Sequence, residues 1–156
     1  MPEVVVVQES VVAAPVQQVW ARVVSPDGIN HELGPWLQMS MPSGAATLTV
    51  DTVTIGAPLG RSWIRLFGLV PVDYDDLVIV EREPGRFFRE ESTMLSAQRW
   101  RHERRLDVVP TGHTVVRDRL TFVPRVPGRL AASAHRRVVA ALFAHRHRRL
   151  AAWFPG

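Results

Sequence analysis

The chain of 156 residues contains no cysteine, no lysine and a single tyrosine. Without cysteine there is no disulfide, no thiol nucleophile and no thiolate metal site. All 19 basic residues are arginine, set against 15 acidic residues and 6 histidines, for a formal charge of +4. Almost nothing then titrates between the histidines and the arginines, so a small surplus of positive charge produces an isoelectric point of about 11.1. That value is not the mark of a nucleic-acid binder. The arginines are interleaved with acids, and no aromatic stacking platform accompanies them. No apolar run approaches the ~20 residues of a membrane span, so no stable membrane insertion is expected. The opening stretch MPEVVVVQESVV carries Glu3 and Glu9 and no basic leader, which makes a cytoplasmic location the expectation. The length suits one domain over 1–156. Such a domain buries roughly 68–70% of its unfolded surface and needs neither metal nor disulfide for stability.

Several catalytic and metal signatures are also missing. There is no G-x-S-x-G, so Ser92 is not a nucleophile elbow. Asp73, Asp75 and Asp76 lack the spacing of a calcium loop and read as a solvated turn entering a strand. His145 and His147 are two apart on a helix and do not share a face; no H-x-x-x-H occurs, and no metal or other cofactor is expected. Gly56 to Gly60 fits no phosphate motif.

What is present is a regular alternation of strands and turns. VVVVQESVV is β-branched and predicts a strand over 3–12. Pro15 opens a short helix, APVQQVWARVV, and a second short helix or turn covers Asp27 to Leu33 before Gly34-Pro35. MPSGAAT reads as a turn. Six further strands are expected at 47–56, 61–70, 75–83, 86–95, 99–109 and 114–123, joined by turns rich in proline and glycine. After Pro124, Pro127 and Gly128, about 26 residues without glycine or proline predict one long helix over 129–154. Leu142, Trp153, Val138, Val139, Leu150 and Phe143 share its apolar arc, into which His135 and Arg146 intrude. Arg137, His147 and Arg148 are expected on its wet side. Trp36, Trp63 and Trp153 are expected in the core or a cavity wall.

The run QRWRHERRLDV raises the main question. As a strand it points Trp100, His102, Arg104, Leu106 and Val108 one way, which places an imidazole and a guanidinium on the buried side. The loop Pro110-Thr111-Gly112 pairs Val109 with His113, and counting back sets Arg104 opposite Asp118, His102 opposite Leu120, Trp100 opposite Phe122 and Glu103 opposite Arg119. A loop at 95–97 sets Ser92 opposite Trp100, Glu90 opposite His102 and Phe88 opposite Arg104. One concave face then gathers Glu90, His102, Arg104 and Asp118 among aromatic and aliphatic neighbours. Each buried base has an acid beside it, as a buried charge requires. The quartet is read in two ways: as structural pairs, or as the polar groups of a pocket.

A curved antiparallel sheet covered by one long helix is an α+β architecture. The strand leading into APVQQVW, followed by GRFFREES, WRHER, RDRLTFVPR and LFAHRHRRL, resembles the START-like (SRPBCC, birch-pollen-allergen-like) helix-grip superfamily. Within it the chain looks like a bacterial branch of ligand-binding proteins without assigned ligands. The resemblance spans essentially the whole chain and implies a seven-stranded curved antiparallel sheet wrapped around the C-terminal helix, with two short helices after the first strand. It also implies a deep cavity for a small hydrophobic or amphipathic molecule. The expected ligand-facing residues are Phe88, Ser92, Trp100, His102, Arg104, Asp118, Phe122 and Arg146, with Tyr74 at the mouth. Binding or carriage is the favoured function. The alternative is a polyketide cyclase/dehydratase-like enzyme with His102 as general base and Glu90 orienting it. A third reading is a protein-interaction module with a filled core.

Overall fold

A computed structural model describes residues 3–42 and 49–156. The elements run β1 (Val4–Val12), α1 (Val16–Val23), α2 (Pro26–Leu33), β2 (Leu37–Met39), β3 (Arg61–Leu66), β4 (Val70–Glu83), β5 (Phe87–Met94), β6 (Ala97–Val108), β7 (Thr114–Pro124) and α3 (Arg129–Trp153). The seven strands form one antiparallel sheet in the order β1-β7-β6-β5-β4-β3-β2. The sheet curves around α3, which lies against β1 and β7 at one side and against α2. The architecture is the α+β one expected.

Local chemistry explains the corner that joins the two short helices. Pro15 precedes α1 and cannot extend it backwards. Ser25 caps α2 by accepting from the Gly28 N–H at 3.0 Å, with Pro26 in the first turn. A Cβ on Gly28 would stand 1.7 Å from the Arg22 carbonyl oxygen, so only glycine lets the two helices meet this closely. The corner delivers Glu32, in the last turn of α2, to the interior.

The registers read from the β6–β7 and β5–β6 hairpins hold. Arg104 faces Asp118, His102 faces Leu120, Trp100 faces Phe122 and Glu103 faces Arg119. Glu90 faces His102, Phe88 faces Arg104 and Ser92 faces Trp100. The β6–β7 turn closes with Gly112 at φ 83° and the Val109 N–H donating to the His113 carbonyl at 3.0 Å. Trp100, His102, Arg104 and Leu106 are buried, whereas Val108, at the strand end, is exposed.

Four expectations are corrected. The strand expected at 47–56 is absent over its described part: residues 49–56 form turns, residues 47 and 48 lie outside the described residues, and the seventh strand is the short β2. The turn expected at 41–47 also falls mostly outside them. The β3–β4 hairpin turns at Phe67–Leu69 rather than at Pro71-Val72-Asp73, so β4 begins five residues before Asp75. Pro71 sits beside the slip in the pairing with β3 at Ile64/Arg65, a bulge being one of the places where a strand accepts proline. On α3, His147 is buried rather than wet, while Val138 and Trp153 are exposed. Trp36 and Trp63 are exposed too, and neither lines the cavity described below.

Candidate functional site

Two apolar clusters fill the space beneath the sheet. One holds Phe88, Leu106, Val116 and Leu150; the other holds Trp100, Leu120, Phe122 and Phe143. Between them runs a polar layer, one step along each element: His102 and Arg104 on β6, Asp118 on β7, Glu90 on β5, Ser10 on β1, and His147 on α3. The alternation of apolar residues therefore continues on both sides of the layer, and the polar residues occupy inward positions by strand and helix geometry.

Arg104 is the hub and is fully enclosed, at 0% exposure. Its guanidinium donates to both Asp118 oxygens at 2.7 Å and to both Glu32 oxygens at 2.9 Å, two bidentate pairs on one side chain. Asp118, also at 0%, accepts further from His102 Nε2 at 2.7 Å and lies 2.6 Å from His147 Nε2. His147 Nδ1 is 2.6 Å from Ser10 Oγ. His102 Nδ1 reaches Glu90 Oε1 at 3.1 Å. Arg146 Nε donates to Glu32 at 3.1 Å.

The electrostatics follow from this geometry. Burial works to raise the Asp118 carboxyl, but Arg104 and then His102 outweigh it and hold the group well below the usual carboxylate range. Glu32 is lowered in the same way against its own burial by Arg104 and Arg146. Burial works to lower His102, and the Asp118 and Glu90 carboxylates override it, so the imidazole is raised and is held as a cation with an N–H directed at each acid.

To one side of this layer lies a cavity of about 410 Å³, between α3 and the inner faces of β2 to β6. Its walls are mainly apolar, with Ile29, Leu33, Ile64, Leu77, Leu142 and Phe143 among them. No residue of β1 or β7 lines it. Val72 on β4 and Val138 on α3 belong to the wall yet are 45% and 65% exposed, which marks the mouth between those two elements.

The expected ligand-facing residues divide into four groups. Phe88, Trp100, His102 and Arg146 stand in the cavity wall, and so does Glu90. Arg104, Asp118 and Phe122 are buried behind it. Arg104 and Asp118 are consumed by the charge network, and Phe122 packs between Trp100 and His135, with ring centroids 5.5 Å and 4.6 Å away. Ser92 is buried outside the cavity wall. Tyr74 is turned away: Asp73 and Asp75 on either side of it face the cavity, and alternation sends its ring onto Trp63 and under the Arg61 guanidinium.

Sequence reasoning missed Glu32, Ser10, His147 and Asp75. Ser10 keeps the inward phase of Val4, Val6 and Val12, and His147 lies four residues after Phe143 and three before Leu150, so both were marked by period. Asp75 is not in a solvated turn; it is 4% exposed and lines the cavity. Among the described residues no group of three histidine or acidic side chains is placed to hold a metal ion, and no helix is long and apolar enough to cross a membrane.

A curved sheet gripping one long helix over an apolar cavity is the START-like helix-grip fold. Solved structures share it over nearly the whole chain. The aromatase/cyclase Zhui from Streptomyces sp. R1128 superposes with a TM-score of 0.69 at 15% identity, covering 97% of this chain and 93% of its own. A START superfamily protein from Mycobacterium smegmatis gives 0.67 at 8% identity, covering 96% of each chain. A protein from Chromobacterium violaceum gives 0.73 at 14% identity, covering 97% of this chain and 99% of its own. Identities this low carry the fold and nothing finer. By sequence, the chain belongs to the family DUF8410, a domain of unknown function, whose model matches residues 10–154. No curated protein matches the sequence.

Proposed function

We propose that this protein is a cytoplasmic binding or carrier protein for a small hydrophobic or amphipathic molecule, held in the cavity between the sheet and α3. The observation that carries this reading is the cavity itself: about 410 Å³, walled by aliphatic and aromatic side chains, open between β4 and α3, with a few polar groups at fixed positions. We infer that Phe88, Trp100, His102, Glu90 and Arg146 touch the ligand, a reading supported by their position in the cavity wall. Arg104 and Asp118 act through His102, whose ring they hold in place, and have no direct route to the cavity. A module with a filled core does not fit a chain with this opening.

The cyclase-like reading rests on one observation, that His102 lies in the wall with Glu90 at Nδ1. Its other nitrogen is bound to Asp118, so neither nitrogen is free to accept a proton. A general base must offer a lone pair toward the substrate. The geometry therefore favours binding over proton abstraction. Titration with Nile red tests the binding reading. Saturable one-to-one binding to the native protein, lost when Leu77→Trp fills the cavity, is the expected result. Absence of binding to a folded protein contradicts it.

A further inference from the structure

The polar groups in the cavity wall are not evenly spread. Asp73 and Asp75, on β4, and Glu90, on β5, all face the same space. Asp73 is satisfied within the protein, since its carboxylate accepts from the Ser96 N–H and hydroxyl. Glu90 has His102 as a partner. Asp75 is different. It is 4% exposed, its Oδ1 accepts no well-formed hydrogen bond among the described residues, and the one nearby group that favours its charge is the neutral Ser92 hydroxyl. The charged groups acting on it are all acids: Glu90, Asp73 and Asp76. The cations of the cavity wall are committed elsewhere, Arg146 to Glu32 and His102 to Glu90 and Asp118. Burial, followed by the neighbouring Glu90 charge, pushes the Asp75 carboxyl well above the ordinary range. His135, facing from α3, is lowered by its burial and so adds little positive charge.

Ionising a buried acid that has no countercharge and stands beside a second acid costs free energy, and a cation in the cavity offsets that cost. Carboxylates facing an otherwise apolar cavity are suited to an organic ammonium group that carries an apolar body. A metal ion is a poorer fit, because no three donor side chains converge among the described residues.

We infer that the ligand is an amphipathic organic cation, whose amine is held by Asp75 and Glu90 while its apolar body fills the cavity. This rests on the ligand-binding reading above. The test is displacement of Nile red by three probes of equal chain length: decylammonium, decanol and decanoate. The amine should displace the dye at a concentration about tenfold below the alcohol, with decanoate the weakest, a difference of the size expected for one charge-assisted contact. Asp75→Asn, nearly isosteric, should bring amine and alcohol within about twofold of each other. Glu90→Gln should reduce the amine preference as well. Equal or stronger displacement by decanol or decanoate in the native protein overturns the inference and needs no variant to do so. A native preference for the amine that survives Asp75→Asn also overturns it. If the dye itself does not bind, the ligand-binding reading falls first, so the two failures are distinguishable.

Discussion

The half of the sheet formed by β1, β7 and β6 is closed against α3, whereas the half formed by β2 to β5 stands over a cavity. In the closed half the inward positions meet partners directly: Leu120 and Val116 are at 0% exposure, and the two acids Asp118 and Glu32 share Arg104 while His102 and Arg146 supply the further cations. In the open half the inward positions of β3 and β4, Ile64, Asp73, Asp75 and Leu77, line a space rather than a neighbour. β6 belongs to both, since His102 touches the cavity through one side of its ring and the sealed network through the other. The contrast teaches that polar residues pointing inward have two separate meanings in one fold. Where acid and base numbers match and geometry is bidentate, they fix the packing. Where an acid is left over, they point to something the protein binds.

The comparison breaks most readily at its hub. Arg104→Ala leaves Glu32 and Asp118 buried together without their guanidinium, and should cost about 3–5 kcal/mol or prevent folding. Urea denaturation measures this, and a loss near zero would show that the network does not hold the closed half. Leu120→Ala, in the packed half, should cost about 2–5 kcal/mol. Leu142→Ala, at the edge of the cavity, removes a side chain that is only partly enclosed and should cost about 1 kcal/mol or less, while changing Nile red affinity. Equal losses at Leu120 and Leu142 would erase the distinction between the halves.

The pH dependence sharpens the contrast with a smaller effect. His102 is raised above 6.5 in the folded state, so its contribution to stability is complete below pH 6.5 and is lost as pH rises through the folded value. Asp118 and Glu32 are lowered, so their contributions hold above the ordinary carboxylate range and are lost only as pH falls through the folded values. His31 and His135, both lowered, work in the opposite sense near neutrality and are much less enclosed. The melting temperature of the native protein should therefore fall above pH 6.5, with the raised Asp75 acting in the same sense, and His102→Gln should flatten that slope in part. A variant with an unchanged slope would place the titration elsewhere.

Much of the closed half was legible in the sequence, because strand alternation and a three-residue hairpin loop are enough to set Arg104 against Asp118 and Glu90 against His102. Glu32 was not, because its approach depends on the α1–α2 corner and the close contact at Gly28, a tertiary arrangement with no periodic signal. The open half was read poorly for the same reason. β2 is three residues long, β4 runs through a proline, and 49–56 has strand-like composition but forms turns. Alternation along 73–75 would have turned Tyr74 outward and both aspartates inward, had the strand been started early enough.

The central claim is that the cavity exists to be filled. Native mass spectrometry of the freshly purified protein, followed by denaturation and extraction, tests it most directly. The account predicts a bound molecule of reproducible mass, one per chain, released on unfolding. A folded chain that carries nothing, and that binds Nile red no better than the Leu77→Trp variant does, would contradict it.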